Sequence, residues 1–202
     1  TLNGEGLQHQ DGHSHLIAST IPNLKAYDPA YAYEIGVIIQ DGLKRMYKDN
    51  EDVFYYITLE NENYVHPKMP KDVEDGIIRG MYQVKKTKKS KLKVQLLGSG
   101  PILKEVIAAS KLLSEDWNIE SDVWSVTSYS ELHKDAEDIN RWNLLNPNKK
   151  DRVSYLNECL NKTEGPIIAC SDYVKLVSEQ ISPYIDCDFT SIGTDGFGRS
   201  SS

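Results

Sequence analysis

Three of the chain's five histidines, His9, His13 and His15, fall within twelve residues, GEGLQHQDGHSH, from Gly4 to His15. Imidazole titrates near neutrality, donates from one nitrogen while accepting at the other, and ligates metals as the neutral base. Three chemistries are therefore open: holding an ion, moving a proton at a reacting oxygen, or hydrogen bonding inside a loop. The HxxxHxH spacing sets limits. His13 and His15 share a face only in an extended chain, and His9 and His13 only in a helix. The glycines and Asp11 argue against a helix, and no fourth ligand is evident, which disfavours a metal site. Proton transfer or substrate polarisation by one imidazole stays open, with Gly4 and Gly6 letting backbone approach a ligand. So does a loop whose histidines bond its own carbonyls.

Other reactive residue types are sparse. LLGSGP, Leu96 to Pro101, has the strand–glycine–helix outline of an anion-binding loop. It lacks the full dinucleotide fingerprint and the GKT ending, so it reads as a strand-to-helix turn. GTDGFG, Gly193 to Gly198, reads as a turn too. Cys159, Cys170 and Cys187 have no histidine nearby in sequence and read as buried small hydrophobes. Trp117, Trp124 and Trp142 read as core or domain-contact residues.

The 202 residues suffice for one large domain or two small ones. Thirty acids against 23 bases leave a net charge of −7, which argues against a general binder of nucleic acid or anionic membrane. The basic cluster KKTKKSKLK, Lys85 to Lys93, reads as a solvated loop or linker. An odd cysteine count with wide spacings and no CxxC suits a reducing cytosol, and the expected location is cytoplasmic. The polar start TLNGEGLQ has no signal-peptide core, and no apolar run approaches the ~20 residues that span a bilayer. The chain opens on Thr1 without an initiator methionine and ends in GTDGFGRSSS, so both ends read as cuts through a longer protein.

The elements that must position these residues follow from periodicity. Residues 1–20 read as loop with a short strand. Asp28 is an expected N-cap and Pro29 the first residue of a helix. Ile35, Ile38, Ile39, Gly42, Leu43 and Met46 form that helix's expected buried face. Asp52 to Leu59 reads as a strand covered on both faces. Residues 66–90, rich in Pro, Gly and charge, read as a linker with a helical turn at 73–78 and a short strand at 80–85. Strands are then expected at 93–98, 122–127, 166–170 and 188–193. Helices are expected after Pro101, after a Ser128/Glu131 capping box, over 152–160, and after Asp172. Strands alternating with helices predict an α/β fold, a mainly parallel sheet with helices on both faces.

Several stretches together resemble one family: TLNGEGLQHQDGHSH, YDPAYAYEIGVIIQDGLKRMY, YYITLENENY, KVQLLGSGPIL, DVWSVTSYSEL, RWN and GTDGFGRS are similar to the homodimeric, bacterial-type pyruvate dehydrogenases. These are the thiamine-dependent first components of their complex, and the resemblance runs nearly end to end. It implies that residues 1–65 are the C-terminal part of a middle, pyrimidine-binding domain. Residues 66–90 are then a linker, and residues 91–202 a transketolase C-terminal-like domain truncated at its end. It implies oxidative decarboxylation of pyruvate with acetyl transfer to a lipoyl group, feeding acetyl-CoA synthesis after glycolysis. The implied partners are a second copy and the lipoyl acetyltransferase component. By position His9 matches the family's active-site histidine that handles substrate and the acetyl intermediate; Gln8 and Asp11 are expected to orient the imidazoles. Thiamine diphosphate and magnesium are the family's cofactors. Their GDG-type motif and activating glutamate lie in parts of the family sequence that this chain lacks, and Glu5 does not take the glutamate's place. The fragment alone is expected to bind no cofactor and to be inactive. The competing readings are another transketolase-type thiamine enzyme, a non-catalytic dimerisation module, and a metalloenzyme.

Overall fold

The computed structural model describes residues 11–60, 63–88 and 90–196. Its larger sheet is built from strands in which alternate residues face opposite helical layers. In β4 (Lys93–Gly98), Val94 and Leu96 join one apolar cluster while Leu97 joins another. In β5 (Glu120–Val126), Val123 sides with the first and Trp124 and Val126 with the second. This period of two buries both faces. The first is covered by α4 (Ile102–Trp117) through Leu103 and Val106. The second is covered by α5 (Tyr129–Leu145), α6 (Tyr155–Leu160) and α7 (Leu176–Glu179), through Leu132, Leu156 and Val177. With β3 (Met81–Lys85), β6 (Ile167–Val174) and β7 (Phe189–Thr194), the strand order is β3-β5-β4-β6-β7. All neighbours are parallel except β3, which runs antiparallel to β5. The α/β architecture expected from sequence is therefore the one observed. Part of the stretch read as linker serves as an edge strand, preceded by α3 (Glu74–Arg79).

The smaller sheet pairs β1 (Leu24–Tyr27) with β2 (Phe54–Ile57), parallel and in register Leu24↔Phe54 to Tyr27↔Ile57. Their crossover contains α2 (Ala32–Leu43) and a π-helical turn at Lys44–Lys48. Ahead of them lies α1 (Ser14–Ser19), where a loop was expected. The C-terminal ends of the two sheets face each other. Asp28, just past β1, donates its N–H to Thr127 O at 2.8 Å, and its own carbonyl accepts from Gly100 N at 3.0 Å. The Ser128 hydroxyl reaches Ala26 O at 2.6 Å, and Thr127 Oγ1 reaches Ile77 O at 2.6 Å.

Several expectations for α2 need correction. The helix begins at Ala32 with Tyr31 as its cap, not at Asp28–Pro29. Its buried positions are Glu34, Ile38 and Gly42, whereas Ile39 and Leu43 are 48% and 56% exposed. A charged residue heads the buried stripe, so a pattern read from apolar residues alone is rotated. Asp172 caps no helix, because β6 continues to Val174 and Lys175 precedes α7. Trp117 is exposed, while Trp124 is in the core. Ser128 caps α5 as expected, accepting from Glu131 N at 3.1 Å; the Glu131 carboxylate pairs with Lys25.

Glu34 is fully buried. Its oxygens accept from Ala30 N, from Tyr31 N at 2.9 Å, from Tyr82 Oη at 2.6 Å and from Ser125 Oγ at 2.7 Å. Tyr82 lies on β3 and Ser125 on β5, so one carboxylate joins α2 to the larger sheet. Glu34→Ala leaves four buried donors unpaired and is expected to destabilise by about 3–5 kcal/mol in denaturant unfolding. Gly36, two residues on, faces open space where a Cβ would sit; Gly36→Ala is expected to stabilise by about 0.5–1 kcal/mol in the same assay.

Candidate functional site

Residues 11–15, the described end of the histidine stretch, sit where the two sheets' ends meet. His9 lies outside the described residues, as do Gly4, Glu5, Gly6 and Gln8. From Asp11 onwards the loop is anchored at three points. The Asp11 carboxylate caps α1: Oδ1 accepts from Ser14 N at 2.9 Å and from His13 N at 3.1 Å, and Oδ2 accepts from the Ser14 hydroxyl. Burial pushes this carboxyl up, but those bonds outweigh it and hold the group below its ordinary value. Asp11 thus serves the helix start. Gly12 O accepts from Val174 N at 3.0 Å, tying the loop to the end of β6.

His15, in the first turn of α1, is the third anchor. It is buried, its ring edge-on to Tyr56 of β2 and Tyr173 of β6, with centroids at 5.5 and 4.7 Å. Its Nε2 lies 3.0 Å from Thr58 Oγ1, one residue beyond β2. Thr58 Oγ1 in turn lies 2.7 Å from Asp28 Oδ1, one residue beyond β1. Burial lowers the His15 pKa to about 4, against a smaller opposing pull from Asp11, so the ring is neutral at physiological pH.

Asp28 is buried and its Oδ2 makes no hydrogen bond to the described residues. Burial raises its carboxyl to about 6. The hydroxyls of Thr58 and Ser99 pull downwards, and the Asp172 charge adds to the rise. Gly100 faces this carboxylate with φ +48°, and a Cβ there would fall 2.6 and 2.7 Å from its two oxygens. The LLGSGP turn is therefore glycine at this position because the Asp28 carboxylate occupies the space. Around it, His15, Ser99, Ser128, Tyr129, Tyr173 and Gln180 line a cavity with about 10 Å³ open to a water centre, room for one molecule.

Sequence reading singled out His15 and missed Asp28 and Thr58 as its partners. The available signal was position: each directly follows a parallel strand, and ligand-handling residues of α/β sheets gather at the carboxyl ends of strands. Among the described residues no three His, Cys, Asp or Glu side chains converge as metal ligands. No helix there is long and apolar enough to cross a membrane.

The two buried groups titrate with opposite sign. His15 binds a proton in the unfolded chain below about 6.5 but in the folded chain only below about 4, so it favours folding increasingly as pH rises from 4 to 6.5. Asp28 holds its proton longer when folded, so its contribution falls as pH rises from 3.8 to about 6. His15→Gln keeps a donor for Thr58 and removes the first term. The wild-type melting temperature is expected to gain on the variant's from pH 4 to 6.5 and to run parallel above it; a constant difference across that window contradicts this assignment.

Known proteins resemble this chain in sequence and fold. Residues 1–67 match the family model of the pyruvate dehydrogenase E1 component middle domain, and residues 80–202 match that of the transketolase-like TK C-terminal domain. The pyruvate dehydrogenase E1 component of Pseudomonas aeruginosa is 56% identical over the whole chain, and that of Cupriavidus necator is 52% identical over 99% of it. The chain spans only 23% of the length of each. A transketolase from Campylobacter jejuni shares the fold at TM-score 0.67 and 18% identity, over 98% of this chain and 26% of that one. With one model covering its greater part, the chain belongs to the transketolase-like C-terminal domain family, carried here behind the end of a pyruvate dehydrogenase E1 middle domain.

Proposed function

We propose that this chain is the rear portion of a pyruvate dehydrogenase that decarboxylates pyruvate and passes the acetyl group to a lipoyl group on the next component. The observation that carries the reading is identity of 56% over the full chain to a protein named pyruvate dehydrogenase E1 component. In this reading residues 1–65 complete a pyrimidine-binding domain, residues 66–90 link, and residues 91–202 form the C-terminal domain. The parent works as a cytoplasmic homodimer with the lipoyl acetyltransferase as its partner. The exposed Ile39, Leu43 and Tyr47, 48%, 56% and 74% exposed along α2 and the π-helical turn, give the rest of the parent an apolar surface to cover.

Thiamine diphosphate, when bound, supplies an electron sink for decarboxylation. The described residues do not fit it. Their cavity at the sheet ends admits one water, and they gather no magnesium ligands. The family resemblance assigns coenzyme and ion to segments outside this chain, and the 202-residue chain is expected to be inactive. What the chain contributes is the histidine loop. His9, two residues before the Asp11 cap, is assigned to proton handling as the two-carbon unit moves on, a task suited to an imidazole titrating near neutrality.

In the full-length parent, His9→Ala is expected to slow acetyl transfer to lipoamide by about 100- to 10,000-fold without changing the melting temperature. Every half-reaction at the wild-type rate would refute the assignment. Calorimetry of the 202-residue chain with thiamine diphosphate and magnesium is expected to show no binding, and stoichiometric uptake would refute the division of labour.

A further inference from the structure

We propose that Thr58 and Asp28 are positioning residues for the histidine loop: the Thr58 hydroxyl, committed to the Asp28 carboxylate, takes the Nε2–H of His15 and fixes that ring's orientation and tautomer. The protons can be counted. Thr58 has one hydroxyl proton and two acceptors within reach, Asp28 Oδ1 at 2.7 Å and Tyr27 O at 3.3 Å. Both draw the proton away from His15. The 3.0 Å contact between Nε2 and Thr58 Oγ1 is a hydrogen bond only if the ring supplies the proton, so His15 is the Nε2–H tautomer.

Asp28 is the rigid member of the chain. Its N–H and C=O are both bonded into the larger sheet's end, to Thr127 O and Gly100 N, and Gly100 closes the space beside its carboxylate. Thr58 follows β2, whose register on β1 is fixed through Tyr27↔Ile57. The orientation of His15 is thus referenced to both sheets through two hydrogen bonds, and the ring is further wedged between Tyr56 and Tyr173. Gly12 O is held in addition by Val174 N, so the stretch from Gly12 to His15 is fixed to both sheets. Catalysis demands that reacting groups be held within a small tolerance, and fixed anchors near them serve that end.

The consequence for catalysis rests on the proposed role of His9; the geometric claim does not, and the two are read out separately. In the full-length parent, deuterium exchange at the imidazole C2 of His15, followed by mass spectrometry of its peptide, reports on that ring alone. Thr58→Val keeps the bulk and removes the hydroxyl; it is expected to speed exchange about fivefold, the scale of one lost hydrogen bond. Thr58→Ser restores the hydroxyl and the slow exchange. Asp28→Ala is expected to speed exchange in the same direction, and it decides the question should Thr58→Val fail to fold. Wild-type exchange in both Thr58→Val and Asp28→Ala, or equally fast exchange in the Ser and Val variants, overturns the positioning claim. In the same proteins acetyl transfer to lipoamide is expected to slow about tenfold in Thr58→Val, with KM for pyruvate unchanged. Altered exchange with unaltered transfer in an active parent overturns the catalytic consequence. A parent that does not decarboxylate pyruvate refutes the proposed function and leaves the exchange result standing.

Discussion

Burying a carboxylate without enough donors is among the more expensive things a fold can do, and this one buries two within seven residues. Glu34 meets the demand in full. Its two oxygens receive four donors, which matches what an ionised carboxylate accepts comfortably. Tyr82 spends its only proton on Glu34, so in the 2.6 Å contact between Tyr33 Oη and Tyr82 Oη it is Tyr33 that donates. Burial still raises the Glu34 carboxyl. Because the donors come from the turn before α2, from β3 and from β5, the ion is satisfied only when the smaller sheet is docked on the larger one. Docking geometry and charge satisfaction are one condition, and the mutual placement of the two sheet ends depends on it.

Asp28 stands in contrast. It is buried too, yet among the described residues one oxygen has a donor from Thr58 and the other makes no hydrogen bond. A carboxylate left short of donors holds its proton to higher pH, which is the direction found for Asp28. Natural folds concentrate such incomplete satisfaction where function needs it. Here it lies one hydroxyl away from His15, through Thr58, while the fully satisfied Glu34 ties α2 to the larger sheet.

The difference between those two carboxylates also marks what sequence reading reached. The strands of the larger sheet were legible because their apolar runs are bounded by turn residues, and α5 because Ser128 precedes Glu131 by three positions. Strand β1 was not, since LKAY offers only four residues and no alternation. The start of α1 was hidden by its glycine and histidines, although Asp11 with Ser14 three residues later carries the outline of a cap. Asp28 before Pro29 gave a sound N-cap signal locally. It lost to tertiary structure, because the carboxylate sits against Gly100 and Thr58, 72 and 30 residues away in sequence. Position-by-position propensity has no access to such partners. The site was half legible for the same reason: histidines announce themselves by type, whereas a threonine and an aspartate become remarkable only once two strand ends are brought together.

A neutral ring at the junction has an electrostatic consequence. His15 stays uncharged through the physiological range, and the hydroxyls of Thr58, Ser99 and Ser128 carry no charge. Along the line from His15 through Thr58 to the buried carboxylate, Asp28 is the group whose charge changes near neutrality. Asp172 on β6 already disfavours its ionisation, as burial does more strongly. A positive imidazolium at position 15 would favour that ionisation, but the Tyr56 and Tyr173 cage and the loss of solvent keep the ring neutral. The aromatic packing that orients the ring is thus the same feature that keeps His15 from acting as a cation towards Asp28. Replacing the cage with polar residues would alter both the aim of the loop and the protonation of the carboxyl beneath it, so the two properties are bound together by one packing arrangement.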